Sequence, residues 1–369
     1  MDFKKVSGLF IVVVAVILIM GSLMDTPDAN PVSATQGQLL TKKIDAPSLK
    51  NNMIDESLQQ EITVFLPKSY EETKKNYPVV YFLPGYDDSF VNYGHVVTRG
   101  MSQLIANKKI NEMIVVTVNG RNKLKGSFYV NSPVTGNWED FVVQDVVTYM
   151  DENFRTIKQA GSRGIAGHSM GGFGAISIAM HHPEIFGYVY SMSLGLFAAE
   201  GIGKTNLDFS VANSYAGKSK QEARAEYIKE MNDLRWPKNF SFAYGSAFAP
   251  DPEGDAPYIK KVSVNSLQNS NYSRDGAWKA WNAGFGEIAD KVDSYETNLK
   301  KLKDITIEYG SQDEFAWIPE GCQAFSEELT KKGIKHKLIS FEGNHHGQTN
   351  DRLIQEVLPF FSDRMSFEE

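Results

Sequence analysis

Arg163-Gly164-Ile165-Ala166-Gly167-His168-Ser169-Met170-Gly171-Gly172 is the stretch whose reading decides the fold. Ile165 and Ala166 end a short apolar strand, and an Ala/Ile/Met-rich helix follows Gly172. A serine held between the two must sit on a sharp turn, with dihedrals strained for any residue bearing a Cβ. The positions two before and two after it must be small, because strand and helix nearly touch there. Gly167 and Gly171 meet that need. As a bare pattern G-x-S-x-G arises by chance, and the alternative reading is a tight turn without chemistry. Its setting between a buried strand and a small-residue helix gives it weight.

The same alternation extends in both directions. Upstream, Ile62–Leu66 reads as a strand stopped by Pro67. Val79-Val80-Tyr81-Phe82-Leu83 is a continuous apolar run halted by Pro84-Gly85, the mark of a buried strand entering a turn. Gly100 to Lys108 reads as helix, Met113–Val118 as buried strand, and Phe141 to Asn153 as helix from the spacing of Val142, Val146, Tyr149 and Met150. Downstream, strands are expected at Tyr188–Leu194, Ile305–Tyr309 and Lys337–Phe341, with helices from about Pro319 to Lys332 and from Asp351 to about Phe361. Short apolar strands alternating with helices predict an α/β protein, a mostly parallel central sheet flanked by helices. One region breaks the alternation, from about Phe197 to Lys300. It is rich in aromatic residues, Asn, Ser and Gly, and is expected to form an insertion over the sheet before the acid-bearing strand.

A serine hydroxyl needs a base, and the base needs an orienting carboxylate. In the α/β-hydrolase fold the chain order is Ser, then Asp or Glu, then His, each after a strand. Gly310-Ser311-Gln312-Asp313-Glu314 offers a carboxylate after one strand, and Glu342-Gly343-Asn344-His345-His346-Gly347 offers two imidazoles after the next. His168 should point away from Ser169 and support the turn. His181 and His182 belong at the far end of the following helix, His336 reads as surface, and His95 lies near the presumed oxyanion loop with a possible substrate contact. The adjacent His345-His346 pair lacks metal-ligand spacing, and Asp251-x-Glu253-Gly-Asp255 matches a calcium loop only loosely. No metal or cofactor is expected, because a triad and an oxyanion hole suffice for acyl transfer.

Further motifs carry a family resemblance: Tyr81-Phe82-Leu83-Pro84-Gly85, Gly126-Ser127-Phe128-Tyr129, Trp138-Glu139-Asp140-Phe141, the Arg163–Gly172 stretch and Gly343-Asn344-His345. From about residue 58 to 363 the chain resembles the esterase D / antigen 85-type α/β-hydrolases. That family includes S-formylglutathione hydrolases, feruloyl and acetyl-xylan esterases and mycolyltransferases. The resemblance implies Ser169, Asp313 and His345 as the catalytic triad. It also implies an oxyanion hole made by the backbone N–H groups of Tyr86 and Met170. The doubled histidine and the long aromatic insertion depart from the compact members.

The formal net charge of −7, with no Lys/Arg cluster, gives no field for nucleic acid. The single cysteine, Cys322, excludes an intrachain disulfide and reads as a buried structural thiol. Lys4 and Lys5 precede an uncharged stretch from Val6 to Met24, and Asp25 and Asp28 follow it. Residues 1–34 therefore read as a signal peptide, with Val32-Ser33-Ala34 as the small-residue site, or as a retained membrane anchor. Residues 35–57 read as a linker or a first edge strand, and 58–369 as the catalytic domain. Charge asymmetry around the apolar run puts the domain outside the cytoplasm, secreted or anchored to the membrane.

The expected function is a serine carboxylesterase acting on short-chain or aromatic acyl esters, small or polysaccharide-linked. Trp236, Tyr244, Phe248, Tyr258, Trp278 and Trp281 in the insertion could line a stacking surface for them. The rivals are an acyltransferase of mycolyltransferase type and a non-catalytic surface-binding protein on a hydrolase scaffold. Composition leaves the oligomeric state open.

Overall fold

Val79, Tyr81 and Leu83 enter one apolar core while Val80 and Phe82 enter another, so a single apolar run serves both faces of a sheet. This alternation is the period-two geometry of a strand covered on both sides. The computed structural model describes residues 37–199, 201–262 and 276–368. The strands of its central sheet are β1 (Gln38–Asp45), β2 (Gln59–Leu66), β3 (Val79–Leu83), β4 (Ile114–Val118), β7 (Arg163–His168), β8 (Tyr188–Met192), β9 (Asp304–Gly310) and β10 (Lys337–Phe341). Their order across the sheet is β1-β2-β4-β3-β7-β8-β9-β10. β5 (Asn131–Ser132) and β6 (Gly136–Asn137) form a separate small ladder. β1 with β2, and β2 with β4, pair antiparallel. From β4 to β10 every neighbouring pair is parallel.

This is the α/β-hydrolase architecture that the sequence predicts. Two differences are large. Of the two readings of residues 35–57, the linker does not hold for β1, which pairs with β2 along its whole length, Gln38 opposite Leu66 to Asp45 opposite Gln59. β1 is therefore part of the central sheet and not a spacer before it. β1 gives a weak sequence signal because, as an edge strand, it fully buries only Ile44 and leaves Lys43 in water. The helix read at Gly100–Lys108 in fact begins at Phe90 and runs to Ala106, capped by the Ser89 hydroxyl, which accepts the Asn92 N–H. Gly94 and His95 weaken the helical signal. Gly94 is nevertheless required, because a Cβ there would lie 2.5 Å from Thr63 Oγ1.

Residues 1–34, read from the sequence as a signal peptide or an anchor, lie outside the described residues. Among the described residues no helix is long and apolar enough to cross a membrane. Cys322 is fully buried in the helix Trp317–Lys331, and burial pushes its thiol pKa up, as expected for a structural cysteine.

Candidate active site

Parallel strands deliver their following loops to one edge of the sheet, and four of these loops meet there. The turn after β7 carries Ser169 at φ 56° and ψ −115°, a conformation that disfavours side chains and costs roughly 1–3 kcal/mol. Packing enforces it. A Cβ on Gly167 would lie 2.1 Å from the Gly171 carbonyl oxygen, and one on Gly171 would lie 1.8 Å from the Leu83 oxygen. The Ser169 N–H donates to the Met192 carbonyl on β8 at 2.9 Å, which ties the turn to the neighbouring strand. The helix Met170–His181 then leads away from the serine.

The loop after β9 brings Asp313 to the same place, and the loop after β10 brings His345. His345 Nδ1–H donates to Asp313 Oδ2 at 2.7 Å. A carboxylate only accepts, so Nδ1 carries the proton and Nε2 is free to accept from Ser169 Oγ–H at 2.8 Å. Asp313 Oδ1 is occupied by the Phe315 N–H at 2.9 Å, which fixes the carboxylate's orientation. Both side chains are almost completely buried, so the pair works in a poorly screened environment. Glu314 acts on the main chain instead, where its carboxylate accepts the His345 backbone N–H at 3.0 Å. The two adjacent acids thus hold the two ends of one histidine.

His346 points elsewhere. It packs edge-on against His345, with ring centroids 4.7 Å apart, and lines the cleft. Burial, then the neighbouring His168, holds its pKa below the ordinary imidazole value. Ligand nitrogens of His168, His345 and His346 lie within 4.8 Å of one another, close enough to hold a cation. Both nitrogens of His345, however, already serve Asp313 and Ser169. His181 and His182 sit at the far end of the helix as expected, His95 is exposed on its helix, and His336 bonds Ser326 and the Ile334 carbonyl.

Tyr86 follows Pro84-Gly85 and lines the cleft together with Met170. The Gly126–Tyr129 motif buttresses both. A Cβ on Gly126 would strike the Tyr86 ring at 2.4 Å and Met170 Sδ at 2.7 Å, while Tyr129 OH donates to the Pro84 carbonyl at 3.0 Å.

Above Ser169 opens a cleft of about 390 Å³. Its apolar wall is Tyr86, Trp236, Phe240, Phe285, Phe315 and Trp317. The rings run continuously. Tyr86 meets Phe240 at 5.0 Å, Phe240 meets Trp236 at 5.0 Å, Trp236 meets Phe315 at 6.0 Å, and Phe315 meets His345 at 5.1 Å. Of the six insertion aromatics singled out in the sequence, only Trp236 faces this cleft, half exposed at its mouth. Tyr244 and Trp281 are fully buried and bond backbone carbonyls. Tyr258 is buried too, while Phe248 and Trp278 are partly buried against other rings. Phe315 and Trp317 are wall residues that the sequence reading misses, although they follow Asp313 directly. Their position just after a parallel strand, at the loop-to-helix junction, was the available signal.

Fold and site together define an α/β-hydrolase. The chain belongs to the esterase family described as "Putative esterase", whose model matches residues 56–360. An esterase of Mycobacterium tuberculosis is 34% identical over 125 residues, covering 32% of this chain and 25% of that protein. An endo-1,4-beta-xylanase/feruloyl esterase of Xylanibacter ruminicola is 32% identical over 151 residues, covering 39% of this chain and 20% of that protein. The chain thus matches a quarter or less of the length of these relatives. Among solved structures, a ferulic acid esterase superposes with a TM-score of 0.56 at 20% identity, over 90% of this chain and 100% of that one. At that identity the likeness speaks for the fold.

Proposed function

We propose that this chain is a serine carboxylesterase that hydrolyses short-chain or aromatic acyl esters through an acyl-enzyme on Ser169. The observation that carries the reading is the continuous Asp313–His345–Ser169 hydrogen-bond chain at the foot of the aromatic cleft. Ser169 Oγ attacks the ester carbonyl carbon while His345 Nε2 takes its proton. The tetrahedral intermediate expels the alkoxide, which leaves as the alcohol with that proton. Water, deprotonated by the same nitrogen, then attacks the acyl-enzyme and releases the acid. Asp313 orients the imidazole and stabilises the imidazolium without itself taking a proton. The Tyr86 and Met170 N–H groups bind the developing oxyanion, and the strained turn presents the second of them at the start of a helix.

The aromatic wall supports flat or short acyl groups, which it can cover with ring faces and edges. The feruloyl esterase name of the Xylanibacter relative agrees with that preference, and polysaccharide-linked esters are the favoured natural source. Export, read from residues 1–34, completes the reading. Ser169→Ala tests its centre. The variant should fold normally and lose roughly four to six orders of magnitude in kcat. Retention of more than about a tenth of wild-type turnover would remove the nucleophile assignment. Product analysis with a competing sugar alcohol separates hydrolysis from acyl transfer, free acid being the expected product.

A further inference from the structure

His168 sits beside the nucleophile yet faces the other way, with 1% of its surface exposed. Its Nε2 lies 2.8 Å from the backbone carbonyl of His345, and a carbonyl only accepts, so Nε2 must carry a proton. Its Nδ1 has no hydrogen-bond partner among the described residues. The nearest carboxylate oxygen is Asp88 Oδ2, at 3.9 Å. That oxygen also accepts the Gly85 N–H at 3.1 Å and the Tyr93 hydroxyl at 3.3 Å. Gly85 immediately precedes Tyr86. A Cβ at Gly85 would lie 2.6 Å from Asp88 Oδ2 and 3.4 Å from His168 Nδ1, so only glycine leaves the two side chains free to face each other.

Three loops therefore meet at two side chains: the one carrying Tyr86, the turn carrying Ser169 and the one carrying His345. We propose that Asp88 and His168 are a second carboxylate–imidazole pair, one that positions the main chain of the base and the oxyanion loop relative to the nucleophile. Neither residue touches the reacting atoms. His168 fixes how deeply the His345 backbone sits, complementing Glu314, which holds the same residue by its N–H. Asp88 fixes the peptide that leads into Tyr86. Burial works to raise the Asp88 pKa, but His168, His346 and the Gly85 N–H bring it below the usual value, so it stays a carboxylate at neutral pH.

The inference rests on Ser169 and His345 acting as proposed above, and its test keeps the two apart. His168→Leu removes the donor to the His345 carbonyl, and His168→Gln restores an N–H at about the position of Nε2. With a short-chain chromogenic ester, His168→Leu should lower kcat about 10- to 100-fold at nearly unchanged KM, the scale expected when a reacting group is misplaced by up to ~1 Å. Labelling of Ser169 by a fluorophosphonate should slow in parallel, and His168→Gln should recover most of both. A folded His168→Leu enzyme with kcat within about twofold of wild type overturns the pair, as does a loss confined to KM. If His168→Leu does not fold, Asp88→Ala decides, because Asp88 is partly exposed. Full kcat in that variant is equally fatal. Ser169→Ala run alongside assigns the failure. An active Ser169→Ala overturns both readings, and an inactive one beside an unimpaired His168→Leu overturns the pair alone.

Discussion

The floor of the cleft hangs from four parallel strands, whereas much of its wall stands on helices of the insertion. On the floor, Tyr86, Ser169, Asp313 and His345 each follow a strand locked into the sheet by backbone ladders. On the wall, Trp236 and Phe240 are held by ring contacts, to each other and to Tyr86 and Phe315. Backbone ladders fix position to fractions of an ångström, as bond-making chemistry requires. Ring contacts fix only a shape. Under the proposed mechanism this difference gives rate to the floor and acyl preference to the wall, and substitutions should separate the two.

The largest effect should come from His345, the proposed base. His345→Ala should be as damaging as loss of the serine, roughly four to six orders of magnitude in kcat. His346→Ala should be far milder, because His346 touches the base edge-on and lines the cleft without bonding Ser169 or Asp313. Steady-state kinetics on both variants decides the matter, and a dead His346 variant beside an active His345 variant reverses the assignment. Next comes Asp313, the proposed partner of that base. Asp313→Asn should lower kcat by about 10⁴-fold through loss of the imidazole's orientation. Glu314→Gln should be tolerated, since an amide oxygen can still accept the His345 N–H. An impaired Glu314→Gln enzyme would show that its charge matters beyond that bond.

The wall should give smaller and more selective effects. Trp236→Ala removes contacts to Phe240, Phe315 and Tyr86 and opens the mouth of the cleft. At about 0.5–1.5 kcal/mol per aromatic contact, kcat/KM for an aromatic acyl ester should fall roughly 2- to 12-fold. An acetyl ester, which has no ring to set against Trp236, should lose less. Equal losses on both substrates would mean that the wall also holds the floor in place.

How much of this was legible in the sequence divides along the same line. The floor's geometry could be read because its strands are mainly apolar runs stopped by turn residues, with Ser169, Asp313 and His345 following them in chain order. The small-residue rule at Gly167 and Gly171 follows from the strand–helix contact that the structure shows. The wall could not be read, because an aromatic residue in an irregular insertion has the same composition whether it packs inward, as Trp281 does, or faces the cleft, as Trp236 does. The Asp88–His168 relation was hidden for another reason. Its members lie far apart in the chain, and only the strand order brings β3 and β7 side by side.

The smallest expected effect concerns how the helix that follows Ser169 is anchored at its remote end. Glu139, in the Trp138-Glu139-Asp140-Phe141 motif, accepts from His181 Nδ1 at 2.9 Å and from His182 Nε2 at 2.9 Å. Burial works to raise the Glu139 pKa, but the two imidazoles outweigh it and bring it down to about 2. His182 is shifted the other way, raised chiefly by its hydrogen bond to Glu139. The depressed carboxylate contributes stability above its unfolded value of about 4.5 and loses it as pH falls through about 2. The raised imidazole contributes stability below its unfolded value of 6.5 and loses it as pH rises through its folded value. These are two limits of one interaction, so it should be strongest between about pH 4.5 and 6.5. Glu139→Gln should destabilise the fold by about 1–3 kcal/mol in that window. The gap in Tm from wild type should narrow as pH falls from about 4.5 toward about 2 and again as it rises past 6.5, with little change in kcat at a temperature where both are folded. Melting curves across that range check it. A gap that does not vary with pH would make the contact a neutral hydrogen bond, and a matching loss of kcat would tie this remote anchor to the floor of the cleft.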